Sequence, residues 1–240
     1  MTVCDPVLRE RWRRRLVRAF RKEGAAEEDV ACVDRSLGSS FVVPERVPIG
    51  FVGDGHRVRV SSCSFEVIET PGHTRGHIAL FEPRLRLLIG GDLLLFNSTS
   101  SVEFSADGTD DLQLYLDSLR RVQALDCSHL LVAHGEADGD CGARIEWILR
   151  RNGEIARAME NEALVAPLSQ GIDLVKRVYW SRGEDAWREL RSVRKLYILF
   201  KGFAVIQHLV ATGRLERVCG NDGLWAYRTR EDLPELTVKS

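Results

Sequence analysis

Three polar residues share one local situation. His73 follows the β-branched, apolar run Phe65–Thr70, Asp92 follows Leu85–Ile89, and His134 follows Leu130–Ala133. Each stands beside at least one glycine, where a strand pattern stops. Two imidazoles and a carboxylate form a donor set for a borderline divalent cation, Zn²⁺ first, with Mn²⁺ or Fe²⁺ as substitutes. A cation held there lowers the pKa of bound water and polarises a carbonyl, which is the chemistry of hydrolysis. Taken singly, each residue has an ordinary explanation: a turn histidine, a turn-capping aspartate, a loop histidine. Three such coincidences at three strand ends favour the metal centre.

These residues need strands that converge on one rim. Val, Ile and Phe between Phe65 and Thr70 suit a pleated, half-buried strand. Pro71 lacks a donor N–H and ends the ladder, and Gly72 permits the sharp turn that presents His73. Further strands are expected over 56–60, 77–82, 85–89 and 130–133, with a turn at Gly53-Asp54-Gly55. Asp110-Asp111 opens a helix through about Ala124. Before the strands, residues 6–23 and about 27–37 read as helices, the first with Leu8, Trp12, Leu16 and Phe20 on one stripe. The segment 41–44 reads as extended. After them come a long helix over 143–163, broken by Pro167, and helices over about 170–179, 185–201 and 203–212. Two short strands around a Gly/Asn/Asp turn, 215–218 and 224–227, close the pattern. Helices followed by such a ribbon have the outline of a winged helix. The fold class is α/β, divided as a helical segment 1–45, a central α/β unit 46–142, and a long helix with a winged-helix-like unit 143–240.

Composition agrees with a globular protein: 240 residues, 44% hydrophobic and 29% charged. No apolar run reaches the length of a membrane span, and Arg9-Glu10-Arg11 interrupts any secretory core at the start, so a cytoplasmic location is expected. Six scattered cysteines without a Cys-X-X-Cys pair point to reduced thiols rather than a zinc ribbon. The formal charge of −1 conceals a gradient. Residues 61–140 hold thirteen acids against five bases, and residues 170–230 hold twelve bases against six acids. An acidic middle suits a cation site; a basic end is commonly a solvated helical surface.

Thr70-Pro71-Gly72-His73-Thr74-Arg75-Gly76-His77, then Gly91-Asp92, then Ala133-His134-Gly135 resemble, in order and separation, the later motifs of the metallo-β-lactamase-fold hydrolases. The resemblance covers roughly residues 45–230. It implies that His73 holds a first metal, that Asp92 bridges two metals and orients the nucleophile, and that His134 holds the second. It makes His77 a buried partner that shapes the loop, with Thr74 in a structural place beside it. It implies two Zn ions in a complete site and attack of a metal-bound hydroxide on an ester, thioester, lactam or phosphodiester of a small-molecule substrate. It also likens residues 6–45 to a helical insertion covering the active site.

One departure accompanies the match. The family's His-X-His-X-Asp-His motif does not occur in this chain, and His56, His129 and His208 are isolated. The expectation is a partial metallo-β-lactamase αββα sandwich with a C-terminal winged-helix-like domain: an N-terminally incomplete chain with impaired activity. A degenerate relative, or a chain whose other half is supplied separately, would look the same. The alternative function is a non-catalytic nucleic-acid- or partner-binding module that uses Arg188, Arg191, Arg194 and Lys195 on phosphates. Glu184, Asp185 and Glu189 interrupt that patch. Oligomeric state is not legible.

Overall fold

The computed structural model describes residues 6–39, 50–136 and 139–230; the segment 41–44, expected to be extended, lies outside them. Two helices come first, α1 (Pro6–Lys22) and α2 (Glu27–Ser39). Leu16, Ala19 and Phe20 form the buried stripe of α1. Glu27, Glu28 and Asp29 occupy the first turn of α2, where negative charge meets the helix dipole.

The central sheet has the order β1 (Arg57–Val60), β2 (Cys63–Glu69), β3 (Ile78–Glu82), β4 (Leu87–Gly91), β5 (His129–Val132). The first four strands pair antiparallel and β5 pairs parallel with β4. The parallel pair requires a crossover, and α3 (Asp111–Gln123) lies in it. Asp110 caps α3, its side chain accepting from Gln113 N at 3.0 Å. Ile68, Ala79, Phe81 and Leu88 fill one sheet face and share a core with Leu119 and Val122 of α3. Alternation along the strands sends Phe65, Val67, Leu80, Ile89 and Leu131 to the other face. Val67 is buried there, whereas Leu131 is 52% exposed.

The rest of the chain is helical until its end: α4 (Cys141–Val165), a two-residue strand β6 (Ser169–Gln170), α5 (Gly171–Tyr179), α6 (Glu184–Arg188) and α7 (Ser192–Ala211). Strands β7 (Leu215–Cys219) and β8 (Trp225–Thr229) complete a three-stranded antiparallel sheet, in the order β6-β8-β7. Two expectations change here. The helix expected over 185–201 begins as short α6 and restarts at Ser192, and α7 then runs unbroken through Gly202 to Ala211. Gly202 is a close-approach position rather than a break: a Cβ there would lie 2.3 Å from Val175 Cγ2 on α5. Strand β6 was not legible, since Ser-Gln has no strand pattern; it forms through its pairing with β8.

One hydrophobic cluster joins these parts. Phe20 of α1 meets Phe104 at a ring separation of 6.1 Å, and Phe200 and Phe203 of α7 at 5.8 and 5.4 Å. Asp29 of α2 is buried, accepting from Trp187 Nε1 at 2.8 Å and from Lys195 Nζ at 2.6 Å. Lys195 is therefore withdrawn from the surface on which a phosphate-binding role was envisaged. Among the described residues no helix is long and apolar enough to cross a membrane, and five cysteines are free thiols.

Candidate metal centre

The turn after β2 is fixed from several sides. Thr70 N donates to His77 O at 2.9 Å, which closes the loop on itself. Gly72 has φ +130° and lies against α3, where a Cβ would come within 2.4 Å of the Tyr115 backbone; only glycine fits both constraints. Ser118 of α3 donates to Pro71 O at 2.8 Å. Glu103 N donates to Gly72 O at 2.8 Å. Arg75 reaches across to Ser105, Asp107 and Thr109. Thr74 contributes its carbonyl, which accepts from Gly72 N and His77 N at 3.2 Å each.

On this frame His73 places Nδ1 2.8 Å from Ser101 O. A carbonyl only accepts, so Nδ1 carries a proton, and in the neutral tautomer the lone pair is on Nε2. That Nε2 lies 3.6 Å from Asp92 Oδ2, beyond hydrogen-bonding distance. In that tautomer two electron-rich atoms face each other, an arrangement that a cation between them relieves. On the other side, Asp92 Oδ1 lies 3.5 Å from His134 Nε2. His134 stands past the end of β5 and is largely exposed. Its strand is held at the rim because Ala133 N donates to Gly91 O at 3.0 Å.

His77 has a different place. Its Nε2 accepts from Asp92 N at 3.2 Å, and its Nδ1 lies 2.7 Å from Thr70 Oγ1. Burial, reinforced by the nearby His73, pulls its pKa down to about 4 and keeps it neutral. Gly91, at φ +54°, leaves room for this ring: a Cβ would sit 2.8 Å from Nε2.

The structure therefore brings His73, Asp92 and His134 together at the ends of β2, β4 and β5, with His77 behind Asp92. Among the described residues no three or more His, Cys, Asp or Glu side chains close into a ready-made metal cage. The donor set still fits a divalent cation in type: one imidazole oriented by a backbone carbonyl through Nδ1, one carboxylate, and a second imidazole. His56 and His129 are exposed elsewhere. His208 pairs instead with Asp110, Nδ1 to Oδ2 at 2.9 Å, at the cap of α3.

A cleft of about 700 Å³ opens beside these residues, lined on its far side by α4 and α7. None of the described lining residues comes from α1 or α2. Helices α4 and α7 line the cleft, while the apolar stripe of α1, in the segment expected as a cover, packs on Phe104, Phe200 and Phe203. The loop from Leu93 to Ser101 forms the near wall, pinned at several points. Tyr115 donates to Leu93 O at 2.9 Å. Arg144 of α4 donates to Leu95 O and Ser98 O at 2.8 Å each. Lys201 of α7 donates to Thr99 O at 2.7 Å and Thr99 Oγ1 at 2.6 Å. Ser101, Thr99, Arg144 and Lys201 were not found from the sequence. The one signal was a lysine alone in the apolar run Leu199-Phe200-Lys201-Gly202-Phe203.

A family model of the metallo-beta-lactamase superfamily matches residues 7–134. A probable metallo-hydrolase of Bacillus subtilis (strain 168), YqjP, is 38% identical over 111 residues, 42% of this chain and 35% of that protein. An atrochrysone carboxyl ACP thioesterase of Paecilomyces divaricatus is 33% identical over 84 residues, 35% of this chain and 24% of that protein. The chain spans less than half the length of the curated relatives it matches. Among solved structures, a metallo-beta-lactamase family protein of Thermus thermophilus superimposes with a TM-score of 0.71 at 22% identity. The match covers 89% of this chain and 63% of that one, and it speaks for the fold.

Proposed function

The chain belongs to the metallo-beta-lactamase superfamily, and from that membership we propose that it serves as a metal-dependent hydrolase of ester or thioester bonds in small molecules. The observation that carries this reading is the lone pair of His73 Nε2 facing Asp92 Oδ2 across 3.6 Å, with Nδ1 engaged by Ser101 O. The thioesterase among the relatives supports the substrate class; lactams and phosphodiesters are the wider possibilities of the same chemistry.

His73, Asp92 and His134 are the residues that would hold the ion, with Zn²⁺ the first candidate and Mn²⁺ or Fe²⁺ as alternatives. When bound, such an ion supplies Lewis acidity and an acidified water. The chain's own residues do the positioning. Ser101 O fixes the tautomer of His73. His77 fixes the backbone at Asp92, so the carboxylate stays between the two imidazoles. Helices α4 and α7 wall the cleft. The chain lacks His-X-His-X-Asp-His, so weak turnover is expected of it by itself.

For organisation, we propose a helical segment over 1–45, a lactamase-like unit over 46–142 and a winged-helix-like unit over 143–240, with helices α1 and α2 packed on α7 of the last. The sheet order β6-β8-β7 behind α5 and α7 supports the winged-helix shape. The alternative reading, a module that binds nucleic acid or a partner through that unit, has less support. Lys195 is buried on Asp29 and Arg188 lies 3.4 Å from Asp185.

Metal retention tests the proposal. The purified chain is expected to keep a substoichiometric amount of Zn, Mn or Fe by elemental analysis. His73→Ala and Asp92→Ala should each lower it, and a feeble thioesterase activity should fall in step. Equal metal content in all three proteins would defeat the reading.

A further inference from the structure

The cleft is lined by two chemically different groups. One is His73, Asp92 and His134. The other is Lys201 and Arg194 of α7 and Arg151 of α4, with apolar walls from Leu95, Val102, Ile155 and Ile198. Asp92 is the sole carboxylate among the described lining residues. Lys201 and Arg194 have no ion-pair partner among the described residues, and Arg151 has an exposed one, Glu154 at 3.1 Å.

Lys201 is the unusual member. It leaves an apolar helix, is largely withdrawn from water, and donates to Thr99 O and Thr99 Oγ1. An ammonium has three N–H groups, so one donor remains for the cleft. Burial draws its pKa down to about 8, so it is charged at neutral pH without a carboxylate to balance it. A desolvated cation of this kind is costly unless an anion completes its surroundings.

We propose that Lys201, Arg194 and Arg151 form an anion subsite, and that the substrate is an acyl ester or thioester bearing a carboxylate or phosphate away from its scissile bond. This assignment rests on the hydrolase reading for the reaction, while the subsite itself is a statement about binding. The apolar walls of the cleft would carry the substrate's hydrocarbon body.

Titration calorimetry on the metal-free 240-residue chain tests it with octyl phosphate, octanoate and 1-octanol. At least one anion is expected to bind about tenfold tighter than the alcohol, the scale of a charged hydrogen bond. A tighter octyl phosphate assigns a phosphate-bearing substrate; a tighter octanoate assigns a carboxylate. Lys201→Met should weaken the anion about tenfold and Arg194→Gln severalfold, and the affinity should fall with added NaCl. Arg194 is exposed, so its variant keeps the test informative if Lys201→Met unfolds. Thr99→Val should keep the anion affinity, since it removes a contact of Lys201 without its charge. Equal affinity for alcohol and anions would overturn the subsite. So would anion affinity unchanged in both cation variants, loss of binding in Thr99→Val to the level of Lys201→Met, or its loss in His73→Ala. No metal or turnover enters the measurement, so this outcome and that of the metal-retention test are independent.

Discussion

His77 accepts the backbone N–H of Asp92 at 3.2 Å through Nε2. A ring in one loop thereby sets the peptide of the carboxylate in another, and Thr70 Oγ1 at 2.7 Å holds the ring from its far side. Three elements, the ends of β2 and β4 and the turn between β2 and β3, are locked through one neutral imidazole. The geometry of His73 relative to Asp92 depends on it.

Replacing that ring should be felt at the metal as well as in stability. His77→Ala leaves Asp92 N and Thr70 Oγ1 without their partner, at a cost of about 1–3 kcal/mol. Denaturant titration should show that loss, and elemental analysis should show reduced metal retention although no proposed ligand is changed. Wild-type metal content in a folded His77→Ala protein would sever the proposed link.

Glu23 is buried where α1 ends and accepts from Tyr227 Oη at 2.9 and 3.0 Å. Burial raises its pKa from 4.5 to about 7. The folded state therefore holds a proton that the unfolded chain releases. The stabilisation is fully present below about 4.5 and is lost as pH rises through about 7, in total about 3 kcal/mol. Thermal melts of wild type and Glu23→Gln between pH 4.5 and 8 should diverge, with the variant flatter. Parallel profiles would contradict the assignment.

The Lys195–Asp29 pair, 6% exposed on both sides, ties α2 to α7. Asp29→Ala leaves an ammonium buried and Trp187 Nε1 unpaired, and should destabilise the fold by about 3–5 kcal/mol. Asp29→Leu combined with Lys195→Met should recover much of that, because no charge then remains buried. A double variant no better than Asp29→Ala in urea unfolding would refute this account.

At Gly202 two effects compete. Alanine favours a helix by about 1 kcal/mol over glycine. A Cβ there would meet Val175 Cγ2, Cγ1 and Cβ at 2.3, 2.6 and 3.0 Å, and overpacking costs about 1–3 kcal/mol. Gly202→Ala should therefore destabilise, and Val175→Ala in the same chain should restore part of the loss. Calorimetric melting of the three proteins decides between the two effects.

The sequence by itself determined where the chemistry-bearing residues stand along the chain. Alternation of apolar side chains, ended by Pro71-Gly72 or by Gly90-Gly91, is local information, so His73, Asp92 and His134 were placed at strand ends before any fold was known. The central sheet and α3 were legible for the same reason. Only the tertiary structure decided what surrounds them. Ser101 O meets His73 across 28 residues, Lys201 meets Thr99 across 102, and Lys195 meets Asp29 across 166. Such contacts join residues with no shared period, so no pattern in either segment announces them. Gly202 illustrates the limit. In sequence a glycine between apolar residues means a break or a close approach alike, and the side chain of Val175 on a neighbouring helix made it the second.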